Sequence, residues 1–396
     1  MSEQPAGQAA SKAGRPRGWL SPGVAGIGAA SFLADVGHEV PTALLPSLLT
    51  SLGAPAAVLG AIEGVADGLA GMARLAGGAM SDDPARRQAL AVGGYASTAV
   101  LSSVIGASTT VWQVGVLRAG AWAARGLRVP ARNALLADIA TPEAYGRAYG
   151  FERAMDDLGA IGLSVIPGLL AAVAILYAIR HTPKAQQRER QRIRLAVRPV
   201  LSGSLGRLML VIAAFEFGNV AVTLFILRAT QPSGRGGPTP RRCSSRSAST
   251  SPTTSPPTLV SVPAGRIGDR RGPTMVLAAG IAPFGAAYAG FAIGGSSVVA
   301  LAPAFLSAGI AIGCVETSQN AAVAAVAPGA LRGSAFGVFA GIQSFGNLAA
   351  SAVAGLLWTA ISPTAAFAYL AGWMVIALGA VLGVLPRSRR VRPGRH

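Results

Sequence analysis

Asp35, His38 and Glu39 fall within Ser31-Phe32-Leu33-Ala34-Asp35-Val36-Gly37-His38-Glu39-Val40-Pro41, a polar interruption in an apolar stretch. Spacing of i, i+3, i+4 puts the three on one face of a helix, and histidine adds a group that titrates near neutral pH. Such a face could pass protons or bind a cation; the competing reading is a polar patch that pairs with neighbouring helices. One imidazole and two carboxylates make a poor metal site, so none is expected. Glu63 and Asp67 recur at i, i+4, with Arg74 two turns on, and Arg118, Arg125 and Arg128 interrupt another apolar stretch. Charges in apolar segments cost at least a few kcal/mol each, which makes them functional candidates by default. Arg118 lies deep enough to need an anionic partner. Enzymatic chemistry finds little support: there is no G-x-S-x-G, no P-loop and no close cysteine pair, and His181 and His396 lie in polar segments. Neither a catalytic centre nor a cofactor is expected.

The elements that must hold these residues are membrane helices. Hydrophobic residues make up 51% of the 396-residue chain and charged residues 13%, too apolar a balance for a soluble chain of this length. Stretches near 89–108, 161–179, 207–227, 274–293, 297–315 and 365–385 approach the roughly 20 apolar residues that cross a bilayer core. The 51 glycines and the lack of period-two alternation argue against a closed barrel. An all-α, polytopic membrane protein is therefore predicted, with lipid as its surroundings.

Net charge is +18, but the basic residues sit at helix ends rather than in an aromatic-studded domain, so nucleic acid is not an expected partner. Lys12, Arg15 and Arg17, the pair at 86–87, the run from Arg180 to Arg207, the loop 266–271, Arg332 and the final arginines from Arg387 onward alternate with uncharged connectors near 51–56, 106–111, 294–296 and 359–364. This is the positive-inside pattern, and it puts both termini in the cytoplasm. Cys243 and Cys314 form no motif, so no disulfide is implied.

One motif occurs twice, 187 residues apart: Gly78, Asp82, Arg86 and Arg87, then Gly265, Asp269, Arg270 and Gly272. The same offset aligns Gly146-Arg147-Ala148-Tyr149-Gly150 with Gly333-Ser334-Ala335-Phe336-Gly337, and Asn133-Ala134 with Asn320-Ala321. A single offset at three separate places means an internal duplication. In a chain this apolar it points to two helical halves around a shared site.

On these residues the chain resembles the major facilitator superfamily. The family's loop motif G-x-x-x-D-R-x-G-R-R is met at Gly78, Asp82, Arg86 and Arg87, with Asp83 and Ala85 departing from it. In the second copy Pro273 and Thr274 replace the final basic pair. The run Arg125 to Asp138, followed by Gly146 to Phe151, resembles a bacterial subgroup of that superfamily. The resemblance implies twelve helices in two six-helix bundles and secondary transport by alternating access. It also implies a central cavity lined by the first, fourth, seventh and tenth helices, across which Asp35 or Glu39 would neutralise Arg118, and which makes Arg118, Glu216, Asn219, Glu316 and Asn320 cavity candidates beside Asp35, His38 and Glu39. The loop motifs would gate the cavity through charge contacts. Glu152, Arg153, Asp156 and Asp157 would join that gate near the cytoplasmic surface by pairing with Asp82 and Arg86 or Arg87. Proton-coupled export of a small organic solute by a monomer in a bacterial inner membrane is the expected activity. A degraded, non-transporting relative and a membrane receptor or scaffold are the alternatives.

The expected organisation is a disordered cytoplasmic tail over 1–20, a helical bundle over 21–180, a basic linker over 181–205, a second bundle over 206–386 and a basic tail over 387–396. Two places break the pattern. Residues 146–180 are about one helix shorter than their counterpart, so the fifth and sixth helices are either merged into one crossing or, the preferred reading, form a distorted hairpin bent near Pro167-Gly168, giving about 10–12 membrane helices in all. Residues 231–258, where the eighth helix belongs, are rich in Ser, Thr, Pro, Gly and Arg, a composition that cannot cross lipid. The codons that Ser, Pro and Thr share allow this segment to be a frameshifted helix; a true polar loop is the other possibility.

Overall fold

The computed structural model describes residues 18–54, 56–161, 196–220, 224, 225, 228, 255–293 and 298–384. Its helices, in chain order, are α1 Pro22–Ser51, α2 Ala56–Met80, α3 Pro84–Ile105, α4 Val111–Ile139, α5 Tyr145–Ile161, the single turn α6 Val197–Val200, α7 Gly203–Glu216, α8 Ser255–Arg271, α9 Pro273–Ile293, α10 Val298–Val326, α11 Arg332–Ala360 and α12 Pro363–Val384. Short 3-10 turns precede α5 (Pro142–Ala144) and α11 (Gly329–Leu331), again 187 residues apart.

Local chemistry explains several boundaries. Asp83 caps α3 by accepting from the Ala85 amide, and Pro84 fills the first helical position, where no amide hydrogen is needed. Thr110 and Gln113 form a reciprocal capping box at the start of α4. Gly272 turns the chain from α8 into α9 at φ +95°, a conformation that side chains with a β-carbon resist. Among the described residues, α3, α9, α10, α11 and α12 contain spans long and apolar enough to cross a membrane. Helices α1, α2 and α4 have the length, at 30, 25 and 29 residues, but carry internal charges.

Helices α1 to α5 pack as one group and α7 to α12 as another, with two seams between them, α2 against α11 and α5 against α8. Within the first group, small residues let backbones approach: Gly77 lies against Leu127, and Gly126 against Ala70. The second group is centred on interleaved aromatic rings, with Phe225, Tyr288, Phe291 and Phe367 all buried and Phe225 4.9 Å from Phe291.

One sequence expectation changes. Ser255 to Thr258, assigned to the irregular polar segment, form the first turn of α8. Pro256 and Pro257 suit that turn because its amides have no intrahelical acceptor. The rest of that segment, the bend at Pro167-Gly168, most of the basic linker, residues 1–17 and the final tail lie outside the described residues.

Candidate functional site

The duplicated motifs meet at one end of the molecule, each gripping the opposite half. Asp269 ends α8 and accepts from the Gly146 amide at 2.7 Å, the Arg147 amide at 3.2 Å and Arg147 Nε at 2.6 Å. Asp82, in the loop after α2, accepts from the Ser334 amide at 2.7 Å and from the Ser334 hydroxyl. Each carboxylate therefore faces the first turn of a helix from the other half, where free amides and the helix dipole favour negative charge. The geometry is reciprocal: adding 187 converts Asp82 into Asp269 and Arg147 into Ser334. Burial pushes the Asp82 carboxyl above its ordinary range, and the Ser334 donors oppose that rise.

Glycines make these approaches possible. A β-carbon on Gly78 would overlap Gly337 and Gly333, and one on Gly265 would overlap Gly146. The two seams thus use the same residues in mirrored order. Arg87 is buried and donates to Ser81 O at 2.6 Å and to Gly329 O at 3.2 Å, and it pairs with Asp138 at 2.5 Å. Arg332 reaches the other oxygen of Asp138 at 2.7 Å and the Tyr145 hydroxyl at 3.3 Å. Asp138 is thereby held between cations from both halves, and Arg332 links one motif's surroundings to the other's. Arg86 pairs only locally, with Asp83 at 3.1 Å, and Arg270 is exposed.

Further along the axis, Asn133 donates to its counterpart Asn320 at 3.1 Å, joining α4 to α10. Beyond this contact a cavity of about 560 Å³ opens between the halves. Its lining includes Asp67, Arg74, Arg125, Arg128, Arg132, Glu152, Arg153 and Asp156 from the first half and Glu216, Asn219, Glu316, Asn320, Gln343 and Asn347 from the second. Arg132 pairs with Glu152 at 2.8 Å and Asp156 at 3.6 Å. Arg153 pairs with Glu316 at 2.5 Å, Asp157 at 2.8 Å and Asp156 at 3.2 Å, so its contact with Glu316 ties α5 to α10 across the cavity. Glu216 accepts from Asn219 at 2.9 Å and Gln319 at 3.2 Å. In the second half, amides stand where the first half has charges: Gln319 and Gln343, bonded at 3.3 Å, correspond through the repeat to Arg132 and Asp156.

The sequence-derived candidates are distributed unevenly over this geometry. Glu216, Asn219, Glu316 and Asn320 line the cavity. Asp35 lies behind the wall and pairs with Arg125 at 3.1 Å. His38 is buried with its ring centroid 4.3 Å from that of Trp122, and Thr42 lies 3.4 Å from its Nε2. Glu39 belongs to α1, but its side chain is outside the described residues. Arg118 finds a different partner from the one expected: Glu63 of α2 takes it at 2.9 Å, Thr42 accepts at 3.2 Å, and the Trp122 ring covers the guanidinium at 4.6 Å. Neighbouring α2, rather than α1, presents a carboxylate at that height. The expected pairing of Glu152, Arg153 and Asp156 with Asp82, Arg86 or Arg87 is also overturned. These α5 residues begin a turn past the Asp269 contact, so they face the cavity and pair with Arg132 and Glu316. Sequence reasoning assigns no site role to Arg132, Asp138 or the Arg147 and Ser334 ends of the grips. The spacing of 118, 125, 128 and 132, which lays four arginines along one face of α4, was the available signal.

Among the described residues no three His, Cys, Asp or Glu side chains are grouped so as to hold a metal ion.

Known proteins share both sequence and fold with this chain. Residues 244–396 match the family described as Major Facilitator Superfamily. Uncharacterized proteins of Mycobacterium bovis and Mycobacterium tuberculosis are 32% identical over 153 residues, which is 38% of this chain and spans only 37% of the length of those relatives. An uncharacterized MFS-type transporter of Methanocaldococcus jannaschii is 25% identical over 379 residues, covering 88% of this chain and 92% of its own. Among solved structures, the human organic anion transporter MFSD10 (TETRAN) superposes with a TM-score of 0.71 at 17% identity, covering 91% of this chain and 99% of that one. A bacterial homologue of the iron transporter ferroportin in the outward-facing state gives 0.66 at 13% identity, covering 91% and 98%. FucP in the outward conformation gives 0.66 at 14%, covering 94% and 99%. Two helical bundles, duplicated loop motifs and these likenesses give the chain the fold of the major facilitator superfamily, whose family model matches its residues 244–396.

Proposed function

We propose that the protein is a secondary active transporter that exports a small organic solute against inward proton flow, by alternating access. The observation that carries this proposal is the cavity between the halves, pinned at one end by the reciprocal Asp82 and Asp269 contacts. Contacts of this kind are discrete, so the halves have two packed arrangements rather than a continuum. With the basic loops in the cytoplasm of a bacterial inner membrane, the present arrangement opens outward; FucP and the ferroportin homologue, which share the fold, were captured in states so described.

Proton coupling draws on carboxylates that arginines hold. Protonation of Glu316 would release Arg153, a contact that crosses between the halves, and the freed guanidinium could turn wholly to Asp156 and Asp157. The α5 to α10 tie would weaken, and the halves could rock. Asp35, paired with Arg125, is a second carboxylate that a proton could release in the same way.

Reconstituted in liposomes, the protein should drive solute movement with an imposed pH gradient. Glu316→Gln should abolish the gradient dependence while leaving solute exchange at equal pH. Gradient-driven flux that survives the substitution would refute the role of Glu316. Saturable binding without any translocation would identify a receptor, and an inert protein that fails to stay folded in detergent would identify a degraded relative.

A further inference from the structure

The arginines that line the cavity are not equally satisfied. Arg125 has Asp35, Arg132 has Glu152, and Arg153 has Glu316. Arg74 and Arg128 have no carboxylate within 4.0 Å among the described residues. Arg128 is 2% exposed, and its Nε and Nη1 are buried without a hydrogen-bond partner. What holds it is the ring of Tyr95, 4.0 Å from the guanidinium carbon. Arg74 donates to Ser344 across the seam, and its Nε is likewise buried and unpartnered. Two guanidinium groups that both line one cavity, each with spare donors, lack the counter-charge that burial of a cation demands.

We propose that the missing counter-charge is the solute: the cavity binds an organic oxyanion, such as a carboxylate, sulfonate or phosphate, between Arg74 and Arg128. The guanidinium fork matches the paired oxygens of such groups, and a dehydrated site strengthens these bonds. Phe345 and Leu348, on the same wall as Ser344, give the organic part of the solute an apolar surface. Glu216 does not compete for these arginines, because Asn219 and Gln319 already occupy its oxygens. Asp67 lies on the same helix as Arg74, two turns away, and disfavours solutes with more negative charge than the two arginines can match. That this anion is also carried across the membrane rests on the transporter function proposed above; its binding does not.

Benzenesulfonate serves as the probe, with benzylammonium and benzyl alcohol as cationic and neutral analogues of similar size. Equilibrium binding to the full-length protein in detergent should be saturable for the sulfonate alone and at least tenfold weaker in Arg128→Gln. Arg128→Lys should fall between, since it keeps the charge and loses the fork. Arg74→Gln, which gives up one hydrogen bond to Ser344, should weaken binding as well and guards against misfolding of the Arg128 variants. Equal binding of all three probes, no sulfonate binding, or an affinity unchanged in folded Arg74→Gln and Arg128→Gln would overturn the proposal. Counterflow in liposomes separates the two ideas. Sulfonate that binds but does not move refutes transport and leaves the anion site standing, whereas benzylammonium that moves without sulfonate binding does the reverse.

Discussion

If the halves move as rigid bodies, loosening one grip must uncover the other. Asp269→Asn tests this at a distance, read at Ser81→Cys in a background with Cys243 and Cys314 replaced by serine. Ser81 is fully buried, packed beneath Gly333 on the α2 to α11 seam, and makes no contact with Asp269. Asp269 accepts three hydrogen bonds, one of them from a guanidinium that is 30% exposed. An asparagine keeps one acceptor oxygen and loses the charge. Hydrogen bonds to charged groups contribute about 1.5–3 kcal/mol, and the exposed ion-pair component adds little, so the net loss is about 1.5 kcal/mol. That corresponds to roughly a tenfold rise in the fraction of molecules open at the loop end. While the closed arrangement dominates, maleimide labelling of Ser81→Cys in nanodiscs should accelerate by the same factor. Less than a twofold change, with the variant folded, would refute rigid coupling of the two seams.

The other grip has the opposite pH sensitivity to the one its charge suggests. Burial holds the Asp82 carboxyl above its usual range in the closed arrangement, so a proton binds more tightly there than in an open, solvated state; labelling of Ser81→Cys, taken relative to a free thiol at the same pH to remove the loss of thiolate, should slow as pH falls. Gly265→Ala would place a methyl group against Gly146 and should disfavour the closed arrangement, with labelling rising several-fold. Glu63→Gln leaves Arg118, 1% exposed, without its carboxylate and should lower stability by about 2 kcal/mol, seen as a lower melting temperature that Arg118→Met in the same chain partly restores.

The frame of this protein was legible because its contacts depend on backbone proximity. Glycine at 78 and 265 and an acid at 82 and 269 carry the same instruction in each half, and the offset alone links them. Asn133 and Asn320 were visible for the same reason, since a residue on the axis of a duplicated fold meets its own counterpart. Charge pairing was less legible because it depends on how far each helix is rotated and on which neighbour presents an opposite charge at that depth. Arg118 therefore chose Glu63 over Asp35, and the α5 cluster turned inward to Arg132 rather than down to the loops. The start of α8 was hidden by composition: serine and proline read as loop residues, although a helix accepts both in its first turn.

The mirrored pairs Arg132 with Asp156 and Gln319 with Gln343 imply a division of labour between descendants of one ancestral unit. At the seams the backbone-approach glycines and the acids repeat, Gly78 with Gly265 and Asp82 with Asp269, while their partners differ, Arg147 against Ser334. Along the cavity the repeat carries opposite chemistry, so one wall is ionic where the other is neutral. Under the transporter function proposed above, a change of solute would need substitutions on one wall alone, with the glycine seams left as they are.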